Sequence, residues 1–309
     1  MVLKFDLAIS DALASLLPIA TFASTERAVN EIYKHVLMRC DGNKCFAIAS
    51  NGAQTIIRSI PMPLLGSEPF AVCIDGVKLR AILSSLKDAS ESEISISWTD
   101  ALATIKIGRS KLTASVVDAS TYPETEKLGE EHSSLIIPGS ILHQSLRSVA
   151  HSCAIRDARH YLNGCHFAFT ASGFSVTGSD GHRLSRVCKN LTLNPSANAA
   201  EGIFPVKFID LLGVNLDKNG DVRLRMSANM VEVTWSAGQI RSTLIDGKYP
   251  DIKPFFDSAE KPLFTCSKAQ VLNSIGRLKA TVFEKLPSLG IHAENGEIKL
   301  STLNDKQEE

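Results

Sequence analysis

The sequence predicts an α+β protein built from repeated domains, each an antiparallel sheet with paired helices on one face. Three observations lead there. Blocks about 129 residues apart resemble one another in the same order. Segments that alternate apolar and polar residues far outnumber helical stripes. The helices are too few to cover both faces of the sheets, so they gather on one side. With 309 residues the chain can bury two or three cores.

The repeat shows in four landmarks. "DGVKLRAIL" and "FPVKFIDLL" place Lys78 over Lys207, and "SNG" at 50–52 lies over "SDG" at 179–181. Tyr122-Pro123 matches Tyr249-Pro250, and Trp98, closing "ISISW", matches Met226, closing "VRLRM". A third copy starts near 260, where "SKAQVLNSIGRLKATV" resembles "PGSILHQSLRSVAHSC", and runs into "GEIKLSTLND". The expected domains are 1–129, 130–257 and 258–309, the third present only in its first half. Dimerisation of these 309 residues is therefore expected to be impaired.

Helical windows fall at 9–20, 76–87, 138–154, 205–216 and 267–282. In the third, Leu142, Leu146, Val149, Ala150 and Cys153 form one apolar stripe. Leu79, Ile82, Leu83 and Leu86 mark the second window, and Phe208, Leu211 and Leu212 the fourth. "EISISW", "ATIKI", "VRLRM" and "VEVTW" read as strands with one buried face. "CDGNK", "DKNG" and "AENGE" supply hairpin turns.

Lys plus Arg number 33 and Asp plus Glu 33, so the chain has no net positive field. Yet the helical windows hold eight basic residues (78, 80, 87, 147, 207, 268, 277, 279) against Asp11 and Asp210. Equivalent helices on one side would make that side cationic, able to follow phosphates without reading bases. The competing reading is that Lys and Arg are good helix formers on solvated faces. Seven cysteines without a two-residue spacing predict reduced thiols, no metal site and a cytoplasmic protein. The apolar start is broken by Asp6 and Asp11, a poor signal peptide, and no run approaches a membrane span.

"TGSDGHRLSRV" (177–187) places Asp180, His182 and Arg183 together, which admits an acid/base pair or a turn. The matching Asn51-Gly52 favours turn chemistry for Asp180-Gly181. No nucleophile elbow, phosphate loop or HExxH motif supports catalysis.

"RDARHYLNG" (156–164), "SDGHRLSRV" (179–187), "LIDGKYPDIKP" (244–254) and "IGRSKLTAS" (107–115) together resemble the bacterial β sliding clamps, processivity subunits of DNA polymerase III. The resemblance implies a DNA-clamp fold: three-domain subunits paired head to tail in a homodimeric ring, helices lining the pore and sheets outside. It implies a non-catalytic subunit without cofactor or metal that encircles duplex DNA. The expected partners are the polymerase III catalytic subunit, the clamp loader, and other polymerases and repair proteins. A cleft for their linear motifs would use Leu162, Ser179, Gly181, His182, Arg183, Leu184, Pro250 and Phe255. DNA contacts would fall to Arg27, Lys78, Arg80, Arg147, Arg156, His160, Tyr161, Lys207 and Arg277. Arg109 and Lys111 would meet the partner region that holds Glu308 and Glu309. Two features depart from the family pattern: "AVNEIY" after Arg27, and Pro254 on the cleft rim. The alternatives are a scaffold of the same fold that never meets DNA and, more remotely, a hydrolase using Asp180 and His182.

Overall fold

The protein's structure is a computed structural model that describes residues 3–25, 30–41, 44–61, 69–88, 91–124, 126–129, 132–192, 199–257, 264–280 and 288–302. It divides into two compact units, Met1–Tyr249 and Pro250–Glu309.

The first unit runs through one sequence of elements twice. The first pass is β1 (Leu3–Ala8), α1 (Ile9–Thr25), β2 (His35–Cys40), β3 (Cys45–Ser50), β4 (Gln54–Ile60), β5 (Phe70–Asp75), α2 (Gly76–Ser84), β6 (Glu93–Trp98), β7 (Leu102–Ile107) and β8 (Ser110–Val117). The second is β9 (Ser133–Pro138), α3 (Gly139–Ala150), β10 (Gly164–Thr170), β11 (Gly173–Ser179), β12 (Leu184–Asn190), β13 (Ala199–Pro205), α4 (Val206–Asn215), β14 (Asp221–Met226), β15 (Met230–Trp235) and β16 (Gly238–Thr243). In the other unit, α5 (Lys253–Asp257) and α6 (Lys268–Lys279) precede the hairpin β17 (Gly290–Glu294) and β18 (Glu297–Ser301).

Pairing repeats as well as order. β1 pairs with β6, and β9 with β14; the ladder β5-β2-β3-β4 recurs as β13-β10-β11-β12. β4 and β16 pair antiparallel, with Ile56 opposite Ile240, and join the first pass to β9 and β14–β16 of the second in one twelve-stranded sheet, while β10–β13 form a four-stranded sheet of their own. Gly238 stands opposite Arg58 in that seam, where a β-carbon would collide with the Ile57 carbonyl oxygen. Any side chain there would push the strands apart.

The helices pack in pairs, α1 with α2 and α3 with α4. Asp75 caps α2, its side chain accepting from the Lys78 amide at 3.0 Å. The helix ends at Ser84, so Lys87 lies beyond it, contrary to the expected window. α1 continues past position 20 and through Pro18 to Thr25, because Leu16, Ile19, Ala20, Phe22 and Ala23 bury an unbroken stripe. In the second pass, Phe167 stacks on Phe204 at 4.9 Å, and Phe204 meets Phe208 of α4 edge-on. In the first, Phe70 and Phe5 close on Trp98.

The thiols correct one expectation. Cys40 and Cys45 sit opposite each other at the end of the β2–β3 hairpin and are bonded as a disulfide, because strand register brings their β-carbons together. The other five cysteines are free, and Cys153 lies 3.2 Å, sulfur to sulfur, from Cys165.

Candidate functional site

The opening turn of β12 is built from its own polar side chains. The Asp180 carboxylate accepts the amides of His182 (2.9 Å) and Arg183 (3.0 Å) through Oδ1 and the Arg183 Nε–H through Oδ2. Ser179 Oγ accepts from the Gly181 amide and donates to the Arg183 carbonyl. Gly181 turns the chain at φ +88°, in the left-handed region that favours glycine. The bonds from the His182 and Arg183 amides and the Arg183 guanidinium hold the Asp180 carboxyl below its ordinary range.

The first pass makes the same turn. Asn51 Oδ1 accepts the amides of Ala53 and Gln54, Ser50 Oγ accepts from Gly52 and donates to the Gln54 carbonyl, and Gly52 has φ +91°. Asp180-Gly181 is therefore turn chemistry supplied by the fold. Asp180 bonds the His182 backbone, so the acid/base reading of Asp180 and His182 loses its geometry. What sets the second pass apart is the side chains of His182 and Arg183, both exposed, and of Leu184, half-buried.

Leu162 is buried beside this turn and closes a short 3-10 helix, His160–Leu162. Its carbonyl accepts the Ala154 amide, tying it to the segment that follows α3. Asn163 clamps Asp157 through two backbone bonds of 2.9 Å, and Asp157 holds Arg159 through both carboxylate oxygens. Arg159 then donates to the Asp180 carbonyl at 3.2 Å. Those bonds from Arg159 hold the Asp157 carboxyl at about 2. The sequence reading missed Asp157, Arg159 and Tyr249, although Tyr249 was itself a landmark of the repeat. Its hydroxyl lies against the Ser179 backbone, and its ring stacks on His166 at 5.2 Å. Leu162, Ser179, Gly181, His182, Arg183 and Leu184 thus share one corner of the first unit. Pro250 and Phe255, both exposed, belong to the second.

The candidate cations sit where the helices present them. Lys78 and Arg80 are exposed on α2, Arg147 on α3, Lys207 on α4 and Arg277 on α6. Arg147 pairs with Asp210 of α4 at 3.5 Å, and Arg80 donates to the Ser24 hydroxyl. Helices α1–α4 and α6 carry seven Lys or Arg against two Asp. Arg156, at φ 58°, and His160 are exposed on the segment after α3, and Tyr161 is half-buried. Arg27, Glu308 and Glu309 lie outside the described residues. Arg109 occupies the β7–β8 turn and Lys111 lies on β8, opposite Lys106. β8 meets β5 only at Val116 and Val117, which leaves Ser110–Ser115 with an open edge among the described residues.

A strand-and-helix unit made twice, with helices paired in each pass and the passes joined edge to edge, defines the DNA-clamp class. Residues 136–251 match the family described as DNA polymerase III beta subunit, central domain. The beta sliding clamp of Pseudomonas aeruginosa is 26% identical over 244 residues, covering 79% of this chain and 65% of that protein. That of Treponema pallidum is 24% identical over 280 residues, 90% of this chain and 73% of that one. Among solved structures, a P. aeruginosa sliding clamp bound to griselimycin superposes with a TM-score of 0.84 at 22% identity, over 99% of this chain and 81% of that one. A Bacillus subtilis polymerase sliding clamp gives 0.84 at 20% identity, over 98% and 81%. The Helicobacter pylori beta clamp bound to a DNA ligase peptide gives 0.77 at 20%, over 97% and 84%. The chain spans about 65% of the length of the first of these curated relatives. Within that fold class its sequence is similar to those of bacterial β sliding clamps. Among the described residues no helix is long and apolar enough to cross a membrane.

Proposed function

We propose that the protein is a cytoplasmic sliding clamp: a non-catalytic, cofactor-free subunit that pairs head to tail, encircles duplex DNA and tethers the replicative polymerase. The carrying observation is the doubled fold unit, whose paired helices bear exposed cations at matching positions, Lys78 on α2 and Lys207 on α4. Domains at 1–129, 130–257 and 258–309 follow from the repeat length. In this reading Lys78, Arg80, Arg147, Lys207 and Arg277, with Arg27, Arg156, His160 and Tyr161, face DNA. Sequence-independent contact of this kind comes from phosphate neutralisation. Arg109 and Lys111 on the open edge of β8 meet the partner subunit's third domain, where Glu308 and Glu309 fall.

The corner formed by Leu162, Ser179, Gly181, His182, Arg183 and Leu184 receives short apolar motifs of the polymerase III catalytic subunit, the clamp loader and other polymerases and repair proteins. An apolar wall with a few placed polar groups suits such segments. The H. pylori beta clamp bound to a DNA ligase peptide offers a parallel.

The test is topological. Protein assembled by its clamp loader on nicked circular duplex should stay bound through gel filtration and be released when a restriction enzyme linearises the circle. Equal retention before and after cutting would overturn the reading.

A further inference from the structure

The corner around Leu162 has a twin in the first pass. At the repeat offset, Tyr33 corresponds to Leu162, Ser50 to Ser179, Gly52 to Gly181, Ala53 to His182, Thr55 to Leu184, and Pro123 to Pro250. All six line a single cavity of about 150 Å³, closed on the far side by Met230, Arg241, Ser242 and Thr243 of β15 and β16. Space of roughly that volume admits a guest the size of benzene, or the end of one long side chain.

Its chemistry differs from that of the second-pass corner. Tyr33 and Thr55 stand where Leu162 and Leu184 stand, so the twin is polar where the other is apolar. Arg241 is tied down, its Nε–H bonded to the fully buried Glu232 at 2.5 Å and its Nη1–H to the Glu126 carbonyl at 3.3 Å; Arg225 shares Glu232, so these three groups keep one net positive charge against two further carboxylates. The carboxylates of Glu124 and Glu126 remain, exposed among the lining residues and without an ion-pair partner among the described residues. The edges of the Tyr33 ring and the Met230 side chain offer apolar contact beside them.

We propose that this cavity binds an arginine or lysine side chain of an extended partner segment, its cation between Glu124 and Glu126 and its stem against Tyr33 and Met230. The site stands on the geometry of the first pass and does not require that the second-pass corner binds peptide.

The probe is N-acetyl-Gly-Arg-Gly amide, titrated into the ¹⁵N-labelled protein, with the norleucine analogue as its uncharged counterpart. The arginine peptide should give saturable shifts of the Gly52, Ala53 and Thr243 amides. Glu124→Gln/Glu126→Gln should weaken binding by about tenfold, since each exposed ion pair contributes little alone. Both glutamates are exposed, so an unchanged urea midpoint will show that the variant folds. Leu162→Ala, which alters only the second-pass corner, should leave the titration as it was. The proposal is overturned by equal shifts from the norleucine peptide, by an unweakened double variant, by absence of shifts, or by shifts centred on Gly181 and His182.

Discussion

The hydroxyl of Tyr122 accepts a 2.9 Å hydrogen bond from the backbone amide of Ser50, 72 residues earlier in the chain. This bond pins the Ser50-Asn51-Gly52 turn from behind. Burial pushes the Tyr122 pKa upward, so the phenol stays protonated across the working pH range. Tyr249 lies against Ser179 in the same way but closes no bond of comparable geometry.

Replacing Tyr122 with Phe strands a buried amide. We expect a loss of about 1–3 kcal/mol in urea unfolding. Tyr249→Phe should lose less, because no well-formed bond is removed. Equal losses for the two variants would show that the turns are not anchored as the geometry indicates.

The repeat was legible because turn and landmark residues must keep their identity wherever a turn or a packing corner recurs, as Gly52 and Gly181 do at φ near +90°. Helix limits were less legible. Pro18 argues locally for a stop, yet tertiary burial carries α1 past it, and Leu86 continued an apolar stripe beyond the end of α2. The support of the candidate corner was the least visible part. Asp157, Arg159 and Asn163 look like loop polar residues in the sequence, and only the fold brings Arg159 to the Asp180 carbonyl. The disulfide was missed for a related reason: a spacing of five residues matches no metal or redox motif, while hairpin register sets the two cysteines face to face.

Glu232 is fully buried on β15 between Arg225 and Arg241. Burial alone would raise its pKa, but the hydrogen bonds and charges of Arg241 and Arg225 outweigh it and hold the value below the ordinary 4.5. A depressed carboxyl stabilises the fold fully above its unfolded value, and that contribution is lost as pH falls through the folded one. Glu232→Gln should therefore cost roughly 3 kcal/mol at neutral pH, since removing one partner of a buried pair leaves charge uncompensated. Urea midpoints of wild type and variant should run parallel from neutral pH down to the ordinary 4.5 and converge below it. A gap that widens in acid would contradict this assignment.

The seam between the two passes rests on Arg58. Its Nη2–H donates to the Asn215 carbonyl at the end of α4 at 2.8 Å, and its guanidinium lies 4.9 Å from the Trp235 ring centroid. Arg58→Ala should cost roughly 2–3 kcal/mol. Arg58→Lys should recover little of it, because an ammonium lacks the planar fork that stacks and donates together. Hydrogen exchange would locate the damage, with faster exchange expected along β4 and β16. Full recovery by lysine would reduce the contact to simple charge.

Asp210 separates the cations of α3 and α4 by their availability. It holds Arg147 at 3.5 Å, whereas Lys78 makes no ion pair among the described residues. If the helices face DNA, Asp210→Asn should release Arg147, remove a repelling charge and tighten binding to duplex at low salt. Each phosphate contact contributes about 0.9 to the slope of log affinity against log salt, so Lys78→Ala should lower that slope by about one. Arg147→Ala should lower it by less, because neutralising Asp210 already occupies the guanidinium. Fluorescence anisotropy on a short duplex across a salt series measures all three variants. Identical slopes for Lys78→Ala and Arg147→Ala, with no gain from Asp210→Asn, would mean that the pair does not lie on a DNA-facing surface.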